Sequence, residues 1–367
     1  MKCLLALLFG LALVLPAGAA EEIAPPAGLD IAYAVTTMGT VPVTAVYALE
    51  PKSGLRRLLF RDTDETNRII LKSGGSDIAG AGRTAAPKDV YVLTGPAVAP
   101  ELPAQMDAIS RLRLPDEAGK QAAPERVIPL SLSFGDTSAY HLWNRAPVFA
   151  LSADAGVFAV CVTRIGETRL GKPTIRVISP AGAEWRVALP GSDLYVSDLA
   201  FSPDAKLLAY SAMPMGDEHT LDRSRLPLAG LYVADLTAQT TKLLYSGFID
   251  AIAWGPKPEQ VTVSQRVGDI WSTACSAAVV SVVTGLKVKE FSLHGPTVGL
   301  AYSDDAQWLA AETVERDQRI WVYPVAGGWG KQAPISTETG GRIALLGWVR
   351  IPPMAATAAP GAEQPAM

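Results

Sequence analysis

The sequence predicts an all-β chain folded as a six-bladed β-propeller, with seven blades as the alternative count. Three observations carry this. A phrase of apolar strand, tight turn and second apolar strand recurs along the chain. The bulky residue before its turn falls at 151, 201, 254, 302 and 348, in steps of 46 to 53 residues. A near-constant period of about 50 with room for four short strands is the signature of a propeller blade. Finally, each end of the chain is left with strands that lack a partner, and the two ends complete each other.

The clearest copy is Leu199-Ala200-Phe201-Ser202-Pro203-Asp204-Ala205-Lys206-Leu207-Leu208-Ala209-Tyr210. Pro203 presets φ for the first central position of a type I turn, and Asp204 suits a turn that bonds its own backbone. Related copies run from Phe149 to Ala159, from Ile252 to Pro258 and from Leu300 to Ala310, with a truncated one from Leu345 to Val349.

In order along the chain, residues 1–20 read as a signal peptide. Lys2 supplies a charge, Leu4 to Leu15 an apolar run, and Pro16 to Ala20 a small-residue cleavage region. The run of 12 residues is short of the ~20 that span a bilayer. Cys3 precedes it and so is not a lipid-modified Cys of a mature terminus. Residues 21–28, with Pro25-Pro26, read as a linker, and 29–351 as the propeller.

Within the propeller, Ile31–Met38, Val43–Leu49 and Leu55–Phe60 are three strands without an inner partner. Ile343–Val349 is an inner strand followed only by a tail, so the C-terminal strand is expected to complete the N-terminal blade and close the ring. The blades between are expected over Asn67–Ser131, Ala146–Leu189, Val196–Ser246, Ile249–Leu293 and Thr297–Ser336. Residues 352–367, rich in Ala and Pro, cannot bury a core and are expected to be disordered. Phe201, Trp254, Tyr302 and Trp348 recur at one blade position, which points to packing between blades rather than to a ligand platform.

An aromatic followed by Ser-Pro-Asp-x-Lys, an apolar strand and then Leu231-Tyr232-Val233-Ala234-Asp235-Leu236 resembles the TolB-type, WD40-like β-propeller repeat. Ile320 to Val325 is the same strand in a later blade, and the resemblance extends from about Val148 to Trp348. Ala205 stands where the repeat has Gly, and the turn at Gly255 to Pro258 lacks the Asp. The resemblance implies a propeller that makes protein contacts in the cell envelope. Family members carry a further N-terminal domain, for which the stretch before Leu29 leaves no room, so a propeller alone is expected.

Of the 367 residues, 49% are hydrophobic, and the net charge of -4 argues against a nucleic-acid partner, which favours a basic face. Beyond Cys3 only Cys161 and Cys275 remain, and they fall in blades separated by a whole blade. Two buried thiols are expected rather than a bridge.

No catalytic constellation is found. His141, His219 and His294 have no metal-ligand spacing, and no Gly-x-Ser-x-Gly elbow occurs. Ser73 to Ser76 and Gly80 to Gly82 lack the rest of a phosphate loop. Asp304-Asp305 and the Asp62 to Glu65 stretch read as turn and connector carboxylates rather than a calcium site.

Function is therefore sought on the loop face that gathers the second-to-third-strand loops and the connectors between blades. The insertion Met213–Leu228 brings Asp217, Glu218, His219, Arg223 and Arg225, and the connectors and inner strands bring Tyr195, Asp198, Asp250 and His294. This mixture suits recognition of a polypeptide, and an ordinary solvated loop face would show the same composition. The expectation is an exported, periplasmic or secreted, monomeric, non-enzymatic module. It binds a protein or peptide, without cofactor, metal, nucleic acid or membrane span. The alternatives are a lactonase-like or glycan-acting propeller enzyme with a channel metal near Asp198 and Asp250, and a bare structural module within a larger assembly.

Overall fold

The structure, a computed structural model, describes residues 25–26, 28–37, 43–61, 67–70, 89–96, 105–113, 124–133, 148–152, 157–162, 174–179, 181–191, 194–214, 223–268, 272–314, 318–326, 331–332 and 341–351. The expected signal peptide, most of the linker and the tail 352–367 lie outside them.

The described residues form six four-stranded antiparallel sheets. The first contains β1 (Leu29–Thr37), β2 (Val43–Leu49) and β3 (Arg56–Arg61). The second is β4 (Asn67–Ile70), β5 (Asp89–Pro96), β6 (Gln105–Arg113) and β7 (Glu125–Ser133). The third is β8 (Val148–Leu151), β9 (Phe158–Val162), β10 (Thr174–Ile178) and β11 (Glu184–Val187). The fourth is β12 (Leu194–Phe201), β13 (Leu207–Pro214), β14 (Gly230–Asp235) and β15 (Thr240–Ser246). The fifth is β16 (Ile249–Trp254), β17 (Gln260–Arg266), β18 (Cys275–Ser281) and β19 (Lys287–Ser292). The sixth is β20 (Thr297–Tyr302), β21 (Trp308–Val314), β22 (Gln318–Pro324) and β23 (Lys331–Gln332). The last strand, β24 (Gly341–Arg350), pairs with β1 from Leu29↔Arg350 to Thr37↔Gly341 and supplies the missing strand of the first sheet.

Burial follows the position of each strand within its sheet. Inner strands such as β16 are buried on both faces, whereas the outer strands β15 and β19 are largely exposed. The reason is that both faces of an inner strand meet neighbouring sheets, so its sequence reads as an unbroken apolar run. Apolar clusters fill successive gaps: Val177 with Tyr210 between the third and fourth sheets, and Val233 with Ile252 between the fourth and fifth. Ala277 with Leu309 fills the next gap, and Trp308 with Tyr33 the one between the sixth sheet and the first.

The propeller arrangement has five blades, which corrects the expected six or seven. The inner strands β8, β12, β16, β20 and β24 stand side by side in that order. The sheet β4–β7 forms over the residues expected of a second blade, but β4 approaches β2 rather than the inner strand β24. Of its buried apolar residues Ala108, Ile109 and Leu112, Leu112 is set against Val46, Ala48 and Leu59 of the first sheet. Sequence periodicity counts sheets; it does not show whether a four-residue inner strand stands in the row of the others.

The recurring aromatics are packing residues. Phe201, Trp254, Tyr302 and Trp348 are at most 3% exposed. Trp348 Nε1 donates to Ala301 O, and Tyr302 shares a hydrogen bond with Thr262 of the preceding sheet. The departing turn at Gly255 has a steric cause, since a Cβ there would come within 2.8 Å of the Tyr302 ring at a φ of +136. Cys161 and Cys275 are buried and are not joined in a disulfide.

Candidate functional site

Strand alternation sorts the connections onto two rims. The tight turns β12–β13, β16–β17, β20–β21 and β18–β19 lie on one, here the turn rim. The connections β13–β14, β17–β18, β21–β22, β15–β16 and β19–β20 lie on the other, the loop rim, which is the face singled out above.

The turn rim is self-contained. Ser202 Oγ accepts from Leu207 N and donates to Asp204, whose carboxylate also accepts from Lys206 N. Ser303 and Asp305 repeat this with Trp308 N and Gln307 N, and Ser152 accepts from Val157 N. Asp304 pairs with Arg350, so the acidic pair at 304–305 serves the turn and the terminal strand.

On the loop rim the predicted residues have different fates. His294 is exposed on the β19–β20 connection, and its ring lies flat on Trp321 with centroids 3.6 Å apart. Tyr323 OH accepts from His294 N and bonds Nδ1 at 2.8 Å. Burial pushes the Tyr323 phenol up to about 12, so it stays protonated at neutral pH.

Tyr195 is half-buried and packs against Met213, Ala229 and Phe248. Asp250 is 1% exposed and holds Arg266 through two bonds of 2.7 and 3.2 Å. Burial disfavours the Arg266 charge, but the hydrogen bond and charge of Asp250, with smaller help from Tyr195 and Cys275, outweigh it and raise its pKa. Asp250 thus acts through Arg266, which sequence reasoning did not select.

Asp198 does not belong to this surface, contrary to expectation. It is fully buried, and its oxygens accept from Leu199 N at 2.9 Å and from Ile252 N of the next sheet at 2.8 Å. It braces two blades. Glu312, also fully buried, does the same for the sixth and first sheets by accepting from Leu345 N at 2.9 Å. Arg223 and Arg225 lie in a 3₁₀ turn, Arg223–Leu228, that leads into β14. Asp217, Glu218 and His219 fall outside the described residues, as do His141 and the Gly-rich stretches. Trp321 and Tyr323 were read only as strand residues; what makes them part of a site is a neighbouring connector, which spacing does not reveal.

Among the described residues no three His, Cys, Asp or Glu side chains stand together, and no helix is long and apolar enough to cross a membrane. No protein-family model matches the chain, and no curated protein does. Solved structures do. TolB from Acinetobacter baumannii is similar at 13% identity and a TM-score of 0.52, over 87% of this chain and 66% of that one. A chain of a nidogen/laminin complex is similar at 10% identity and a TM-score of 0.51, over 86% and 97%. A putative TolB from Agrobacterium tumefaciens aligns at 13% identity with a TM-score of 0.48, over 83% and 88%. The chain thus spans just under two thirds of the Acinetobacter protein. The Acinetobacter and nidogen/laminin likenesses bear on fold alone, and the fold they share with this chain is the β-propeller.

Proposed function

We propose that the protein is an exported, non-enzymatic propeller that binds a protein or peptide partner on its loop rim. The observation that supports this most is the His294 platform. An exposed imidazole stacked on Trp321 and held by Tyr323 is already ordered, so little rotamer freedom remains to be lost on binding. Arg266 on Asp250 adds a fixed cation on the same rim.

The metal-enzyme alternative drew on Asp198 and Asp250, and both carboxylates are committed to protein donors. The test is photo-crosslinking in an envelope extract, with benzoylphenylalanine placed at position 294 or, as control, at the exposed outer-strand position Thr241. A discrete adduct from 294 and none from 241 supports the reading. Equal adducts from both, or none from 294, overturns it.

A further inference from the structure

On the turn rim, away from the site just described, a groove of about 340 Å³ opens between the fourth and fifth sheets. Pro203 and Leu207 form one wall, Trp254 and Pro258 the floor, and Val282 and Val283 the other wall. Val283 is 77% exposed and Leu286, three residues on, 68%, the two largest exposures among the described large apolar side chains. Exposed apolar groups continuous with an apolar groove mark a docking surface. The surface is firm. Trp254 Nε1 donates to Pro258 O at 2.6 Å, and a Cβ at Gly285 would lie 2.8 Å from Leu244 O, so the β18–β19 turn rests directly on β15.

We infer that residues 352–367 of this same chain dock in this groove. The chain leaves β24 on the same rim, because Arg350 is fastened to Asp304 of the β20–β21 turn at 2.8 and 3.0 Å. The groove is two sheet spacings away, past the sixth sheet to the fifth, or ~20 Å at ~10 Å per packed sheet. The 16 residues 352–367 reach ~50 Å as polyproline II at ~3.1 Å each. Pro352, Pro353, Pro360 and Pro365 favour that conformation, which binds grooves lined by aromatic and apolar side chains without further ordering cost. Glu363 is the only charged side chain of the segment; the groove lining carries Glu259 and Asp204, the latter paired with Lys206, and the exposed Lys257 beside Pro258 is of opposite sign to Glu363. Tethering supplies an effective concentration of roughly millimolar, so a weak contact suffices. The tail then shields the largest apolar exposure on the turn rim.

The test is a spin label at Ala362→Cys in the full chain carrying Cys3→Ser, since Cys161 and Cys275 are buried. A broad, immobilised spectrum that is unchanged on dilution is expected. Val283→Asp, at a solvent-facing position, should abolish the immobilised component, and Lys257→Glu should weaken it. A mobile spectrum in the otherwise unaltered chain overturns the inference, as does immobilisation that survives both substitutions. Immobilisation that fades on dilution also overturns it, because the occupant is then a second copy.

Discussion

Asp30 offers the most quantitative test of the packing. It sits near the start of β1 opposite Val349, and strand alternation puts it with Ala32 and Ala34 on the face toward the second sheet. It is fully buried, and neither carboxyl oxygen has a hydrogen-bond partner. Burial is the main cause that raises its pKa from 3.8 to about 6; the charge of Arg57 opposes the rise and that of Glu50 adds to it. The folded protein therefore holds this proton more tightly than the unfolded chain. The stability this group contributes is fully present below pH 3.8, is lost as pH rises to about 6, and stays lost above. A shift of ~2 units corresponds to ~3 kcal/mol as an upper bound, so the expected value is roughly 1–3 kcal/mol. Asp30→Asn keeps the shape and removes the charge. Urea unfolding across pH should show the variant more stable than the parent by about that amount near neutrality, with the advantage disappearing toward about pH 4. Only the difference between the two proteins is diagnostic, because Glu184, Glu290 and Asp204 have lowered pKa values and lose stability in acid in both. A difference that does not vary with pH, or a variant less stable than the parent near neutrality, would refute the assignment of Asp30 as a buried, unpaired carboxyl.

Ala205 and Ala306 occupy the left-handed region at φ 56 and 54, so Ala205→Gly and Ala306→Gly should each stabilise by about 0.5–1 kcal/mol in thermal unfolding. Asp198→Ala removes the carboxylate that accepts from the buried Leu199 and Ile252 N–H groups and should cost about 3 kcal/mol or more, without loss of crosslinking from position 294 in protein that remains folded. Gly230→Ala places a Cβ 2.4 Å from Tyr245 O and should cost more than about 2 kcal/mol by chemical denaturation, since backbone must move.

Much of the fold was legible because its main repeating demand is written locally. Ala277 to Val280 is buried on both faces and reads as an unbroken apolar run, and Ser202 and Ser303 sit at the same step of the same turn. The pairing of β24 with β1 was legible because each end lacked a strand the other had. Ring membership was not. The second sheet has its four strands in place, yet whether β4 stands beside β24 depends on contacts between a four-residue strand and a distant one. No local pattern encodes that.

The site was less legible, and the contrast between Asp198 and His294 shows why. Both are polar residues near an inner strand, and both were placed on one face by position alone. Asp198 lies where the β12–β13 register shifts between Val196 and Leu199, so alternation no longer says which way its side chain points. The answer is inward, onto the amide of Ile252, just as Glu312 turns onto the amide of Leu345. In a propeller the inner strands of neighbouring blades lack backbone bonds to each other, and buried carboxylates supply some of the missing cross-links. An acid on an inner strand is thus evidence about blade cohesion before it is evidence about chemistry. His294 is instead exposed, with its Nδ1 tied to Tyr323 and its face to Trp321. Recognition on this chain should therefore follow exposed residues held from beneath, and substitutions at His294 should alter binding with less effect on stability than those at Asp198.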